Sequence, residues 1–167
     1  MEQLTHTFAP VYNRDSRVLI LGSFPSVKSR EQGFYYGHPQ NRFWRVLSAI
    51  TGEPLPDGIE DKRALLLKHH IALWDVCAAC EIEGSSDASI RGVIPNDIAS
   101  ILAGTKIKRI LLNGKTAAKL FERLIRPSLA FCGNVAVMPS TSPANAAVKL
   151  DALIEAWGAW MKNEKKG

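Results

Sequence analysis

Four short apolar runs, at residues 17–21, 71–76, 109–113 and 134–138, constrain the fold more than any other feature of this chain. Each is rich in Val, Ile or Leu, too short for a helix, and bounded by polar residues, Gly or Pro. Such runs suit strands covered on both faces of a parallel sheet. Helical patterns lie between them. Residues 41–51 place Phe43, Trp44, Leu47 and Ile50 at three- and four-residue spacing. Further helices are expected over 61–69, over 95–103 ahead of Gly104, over 115–125 ahead of Pro127, and over 145–161. The alternation predicts the α/β class: a three-layer α/β/α sandwich around a central, mainly parallel, four-stranded sheet. Residues 52–58 read as a surface turn, and 81–95 as a long loop at the carboxyl end of the second strand.

A chain of 167 residues with 46% hydrophobic and 22% charged residues is globular. Its length suits one domain over 1–167. No apolar run approaches the ~18 residues of a membrane span. The start MEQLTHTFAP lacks the basic-then-apolar order of a secretory signal. A cytoplasmic monomer is the expectation. The net charge of +5 favours a polyanionic partner, although the basic tail 162–167 reads as a solvated end. Three cysteines do not make a disulfide framework. Cys77 and Cys80 form a C-x-x-C, but no second pair stands at ligand spacing, so no metal and no cofactor are expected.

The chemistry concentrates in residues 22–44, GSFPSVKSREQGFYYGHPQNRFW, directly after the first apolar run. The carboxyl end of a strand is where an α/β domain builds its site. Phe43 and Trp44 belong to the helical pattern and are expected in the core. Phe24, Tyr35, Tyr36, His38 and Asn41 fit no such pattern. Aromatic faces stack on flat ligands and amides read hydrogen-bonding edges, and a nucleobase needs both. Pro39 stiffens the chain just before Asn41.

Two further strand ends carry loops of interest. Asn113-Gly114-Lys115-Thr116 is not a phosphate-binding P-loop, because Arg109 stands where that pattern needs glycine. Lys115 at a helix start can still meet one phosphate. Ser140-Thr141-Ser142-Pro143-Ala144-Asn145 offers small hydroxyls and amides to a DNA phosphate. The same residues also read as a helix cap by Ser142 with Pro143 behind it. His69-His70 reads as a helix end. Asp75, ending the second strand, suits a site role and a structural hydrogen bond equally.

Together GSFPS, YYGHPQNRFW, LLNG and STSPAN resemble the uracil-DNA glycosylase superfamily, and its hypoxanthine-DNA glycosylase (DNA-deoxyinosine glycosylase) branch in particular. The resemblance implies a cofactor-free hydrolase that excises a deaminated base from double-stranded DNA. It implies Asn41 as the catalytic amide, acting either on a water or on the leaving base. Mismatch-specific relatives carry a catalytic Asn in the first loop where this chain has Phe24, and uracil-specific relatives carry a water-activating Asp near there, whereas GSFPS has no acid. Uracil-specific relatives also carry a His where Ser140 stands and an intercalating Leu where Ala144 stands. On this reading Phe24 and one of Tyr35 or Tyr36 stack on the base, with His38 nearby. The backbone of Gly22, Ser23, Phe24, Pro25 and Ser26 reads its edge. Lys28, Arg30, Arg42, Lys115 and residues Ser140, Thr141, Ser142, Pro143, Ala144 and Asn145 contact DNA. No lysine in these motifs is placed for a Schiff base, which implies a monofunctional enzyme. The alternatives are a uracil- or mismatch-specific glycosylase and a catalytically silent lesion-binding module of the same fold.

Overall fold

A computed structural model describes residues 2–161. The basic tail 162–167 lies outside the described residues. Strands β2 (Val18–Gly22), β3 (Ile71–Asp75), β6 (Arg109–Asn113) and β7 (Asn134–Met138) form one parallel sheet in the order β3-β2-β6-β7. This is the expected sheet, with strand boundaries within about one residue of the apolar runs. The register sets Gly22 opposite Asp75, and Asn113 opposite Met138, so the strand ends gather at one edge.

Helices cover both faces. On one lie α2 (Phe43–Thr51), α3 (Gly58–Lys68) and α6 (Leu150–Met161), which bury Phe43, Trp44, Leu47, Leu66 and Trp157 over Ile20, Leu73 and Leu111. On the other, α4 (Ile98–Ala103) and α5 (Lys115–Leu124) bury Ile98, Ile101, Leu120 and Phe121 over Leu19, Leu21, Ile110 and Leu112. Alternate residues of the central strands thus feed two separate cores, which is why these runs are continuously apolar. None of the described helices is long and apolar enough to cross a membrane.

The structure differs from the sequence expectation in several places. Residues 81–95 are not a plain loop. β4 (Cys77–Glu81) and β5 (Arg91–Pro95) pair antiparallel, and β1 (Gln3–Thr5) joins them in a second sheet of order β1-β4-β5. β5 is an exposed edge with little buried surface, so it carries no apolar alternation. The expected helix over 95–103 accordingly starts at Ile98, where Asp97 Oδ1 accepts from the Ser100 amide. The helix over 41–51 starts at Phe43, and that over 145–161 at Leu150, after a 3₁₀ turn at Pro143–Asn145. The helix over 61–69 begins earlier, at Gly58. Within 22–44, residues Val27–Gln32 form an unforeseen short helix, α1, capped by Ser26. Its charged sequence hides it from any apolar pattern. Cys77 and Cys80 are buried free thiols on β4.

Candidate active site

The loops leaving β2, β6 and β7 meet at the carboxyl edge of the sheet. Gly22 is required there by close approach. A Cβ on it would stand 2.5 Å from Asp75 Oδ1 and 2.8 Å from Tyr36 Oη. Gly22→Ala is therefore expected to cost about 1–3 kcal/mol, as overpacking of a buried site does. It should also displace Tyr36, and thermal unfolding together with the Tyr36 ring resonances checks both. The loop is tied down beyond Gly22, because the amides of Val76 and Cys77 donate to Gly22 O (2.8 Å) and Ser23 O (3.0 Å).

Tyr36 occupies a left-handed backbone conformation, φ 54°, which is costly for a tyrosine and marks a position held by its surroundings. Its ring stacks on Phe43 with centroids 4.1 Å apart. Its hydroxyl accepts from Asn113 Nδ2 at 3.1 Å. Asn113 Nδ2 also donates to Thr141 Oγ1 (3.1 Å), and the Thr141 amide donates to Asn113 Oδ1 (3.1 Å). One side chain at the end of β6 thus joins the 33–42 and 139–146 segments. Gly114 follows in a conformation suited to glycine, φ 97°, where a Cβ would meet Ser140 Cβ at 3.1 Å. Burial, and then the charge of Asp75, push the Tyr36 phenol well above its ordinary range, so it stays a neutral hydroxyl.

Asn41 sits on a turn in which its own amide donates to His38 O at 3.0 Å. Its Oδ1 accepts from the Phe43 amide at 3.0 Å, in the manner of a helix cap. Its Nδ2 has no protein partner among the described residues. His38 Nδ1 accepts from the Gln40 amide at 3.1 Å, closing the same turn.

The other expected site residues divide. Tyr35 is 2% exposed, donates to Ala9 O at 2.9 Å and packs against Phe8 and Phe34, so it belongs to the core. Of the two tyrosines, Tyr36 is the one bonded to Asn113 at the strand ends. Phe24 is buried among Leu21, Val76 and Ile98, with the Arg30 guanidinium 5.6 Å from its ring centre. Pro25 O accepts from Arg30 Nε at 3.2 Å, and Arg30 also donates to Gly84 O. Lys28 is exposed beside Glu31, and Lys115 is exposed at the start of α5. Arg42 departs from the expected phosphate contact. Its guanidinium donates to Ser142 O (3.0 Å), Asn145 O (3.1 Å) and Val148 O. It is consumed in holding the 142–148 segment. Ser140 and Ser142 use their hydroxyls to accept from the amides of Ser142 and Ala144, and Asn145 Nδ2 donates to Ser140 O. Thr141 is buried, whereas Ala144 is exposed at the tip. Between the two segments lies an open groove of about 370 Å³, lined by Gln40, Arg42, Arg45, Pro143 and Ala146.

Three polar groups escape sequence reasoning. His6 Nε2 donates to Asp75 Oδ2 at 2.8 Å, both side chains being almost fully buried. Ser23 Oγ donates to Asp87 Oδ1 at 2.8 Å. Asp87 keeps solvent access at the rim, yet crowding around its carboxyl raises its pKa, and the charge of Asp75 adds to this while the Ser23 bond opposes it. His6 lies in a segment without periodicity. Asp87 has a faint signal, the unusual length of the loop after the second strand. Asn113 stands in the sequence only as a member of LLNG and of the incomplete P-loop pattern, and its role as a joint depends on contacts 28 and 77 positions away.

Close relatives bear on this arrangement. A Methanosarcina acetivorans protein named hypoxanthine DNA glycosylase is 38% identical over 140 residues, 83% of this chain and 86% of its own length. A protein of the same name from Methanosarcina barkeri is 36% identical over 141 residues, with the same coverage of each chain. A protein from M. acetivorans solved in solution by NMR superposes with a TM-score of 0.78 at 34% identity, over 92% of this chain and 94% of that one. The uracil DNA glycosylase superfamily model matches residues 9–160, which takes in the sheet, both covering layers and every loop that meets at Gly22 and Asn113. Motif, fold and family model agree over the same residues, and the chain belongs to the uracil DNA glycosylase superfamily.

Proposed function

We propose that this protein is a monofunctional DNA glycosylase that hydrolyses the N-glycosidic bond of hypoxanthine, the base of deoxyinosine, in double-stranded DNA. The observation that carries the reading is Asn41: a turn closed by bonds to His38 O and the Phe43 amide orients its side chain and leaves Nδ2 without a protein partner among the described residues, in the motif of the resemblance. The names of the two Methanosarcina relatives support hypoxanthine as the base.

The chemistry follows from the reaction. A base within a duplex is out of reach, so its nucleotide is flipped at a cost of a few kcal/mol, less for a mispaired base. Breaking the bond builds positive charge on the sugar and negative charge on the departing purine. An amide is no proton acceptor at neutral pH, so Asn41 contributes geometry and electrostatics. Hypoxanthine leaves more readily than adenine, which lessens the need for a strong acid. The motifs GSFPS, YYGHPQNRFW, LLNG and STSPAN contain no lysine to form a Schiff base, so the product is an intact strand with an abasic site.

The test uses duplex oligonucleotides carrying inosine, uracil or xanthine, with alkali to cut abasic sites. The expected result is product chiefly from inosine, and none before alkali. Product mainly from uracil would move the enzyme to the other specificity. Binding without product on any duplex would leave a lesion-binding module. Affinity should also drop steeply with salt, since exposed Lys28 and Lys115 offer phosphate contacts. A flat salt dependence would remove them from the interface.

A further inference from the structure

We infer that Asp87 is the carboxylate of this active site: it accepts a proton from the water that attacks the sugar, while Asn41 donates to the departing purine. The inference rests on the glycosylase reading and divides the roles within it. The argument is one of hydrogen-bonding capacity. The first loop, GSFPS, contains no acid, yet hydrolysis needs an acceptor for the attacking water. Asn113 has both ends of its amide engaged, by Thr141 and by Tyr36. Asp75 is buried and already paired with His6. Asn41 Oδ1 holds the Phe43 amide, which leaves its Nδ2 as the free end, and that end is a donor.

Asp87 differs from all of these. It arrives from the β4–β5 connection, on a 3₁₀ turn at Asp87–Ser89. Ser23, in the first loop itself, donates to Oδ1, and Oδ2 has no protein partner among the described residues. The residue is open to solvent, so a water can reach it. Two further bonds clasp the same connection to the loop, from the Val27 amide to Ser85 Oγ (2.9 Å) and from Arg30 to Gly84 O. The carboxylate is therefore delivered by tertiary contact to the first loop, GSFPS, which supplies no acid of its own.

The step balances. Water oxygen bonds to C1′ as the C1′–N9 bond breaks, and the bonding pair leaves with the purine. Asp87 takes the water's proton, and the purine acquires one from solvent. Asn41 Nδ2 shares charge with the purine while it departs. Groups facing Asp87 are Ser23, which bonds it, and Asp75, Tyr36, Cys77 and Cys80. Partial desolvation of its carboxyl raises the Asp87 pKa against the opposing Ser23 bond, and the charge of Asp75 adds to this, so the acid limb of the rate should lie above that expected of a free aspartate.

Single-turnover excision from an inosine duplex, measured across pH, tests this with Asp87→Asn, Asp87→Glu and Ser23→Ala. Asp87→Asn keeps an acceptor for Ser23 but loses the base. It should slow excision by about a hundredfold or more, abolish the acid limb, and leave duplex affinity within about threefold. Asp87→Glu should restore part of the rate. Ser23→Ala should cost less, about tenfold, and move the acid limb without removing it. The assignment is overturned if Asp87→Asn stays within about threefold of wild type or keeps the limb. It is equally overturned if Asp87→Asn and Ser23→Ala lose affinity and thermal stability together, because Asp87 then only holds the loop. Wild type that releases no base would instead bring down the glycosylase reading itself.

Discussion

Asn41→Ala should reduce the single-turnover excision of hypoxanthine by about a hundred- to a thousandfold, the usual loss on removing one preorganised donor from a developing anion. The same substitution also removes a helix cap, since Asn41 Oδ1 accepts from the Phe43 amide, and should cost about 1 kcal/mol of stability. The two effects can be separated. Asn41→Asp keeps the acceptor and adds a negative charge at the start of α2, where the helix dipole favours it. It should unfold at wild-type temperature, yet excise as poorly as the alanine variant, because it offers no donor and repels the departing anion. Measured melting and excision on the two variants check the argument together. An Asn41→Asp enzyme with near wild-type rate would mean that the acceptor end of Asn41 does the work, and the division of roles with Asp87 would fall.

Arg42→Ala should lower stability by about 2–4 kcal/mol, because three carbonyls of the 142–148 segment lose a charged donor in one step. For a domain of this size that corresponds to a fall in Tm of roughly 4–16 °C. Arg42→Lys should recover only part of it, since an ammonium cannot reproduce the planar fork that spans three acceptors. Excision should fall in both variants as the 140–146 loop loosens against the Asn41 turn. The salt slope of DNA binding should be unchanged, because the guanidinium is already engaged by the protein. A slope reduced by about one would return Arg42 to the phosphate contacts. Thermal unfolding and affinity against salt concentration give the two readings on the same protein.

Residues local in sequence behave as local patterns require. Asn41 and Phe43 are two positions apart, and so is the contact that orients the Asn41 amide. Ser142 caps its own turn two residues on. The four core strands declare themselves because each buries both faces, which demands unbroken apolar runs. β4 and β5 do not, because an edge hairpin buries little and its sequence is free to be polar or irregular. Exposure misleads in the same way among the aromatics. Tyr35 and Tyr36 are adjacent and chemically alike, but the Tyr35 hydroxyl donates to Ala9 O inside the core while that of Tyr36, on a left-handed backbone, accepts from Asn113 at the strand ends.

The sequence by itself determined the α/β sandwich, its parallel sheet and the superfamily, and pointed to the strand ends as the candidate site, all properties written in short-range periodicity and in contiguous motifs. Tertiary structure alone decided which polar groups meet there. Ser23 and Asp87 are 64 positions apart, His6 and Asp75 are 69, and Arg42 reaches carbonyls 100 to 106 positions away. No periodicity connects such positions. A side chain's free donors and acceptors become known only once the folded neighbours that satisfy the others are in place.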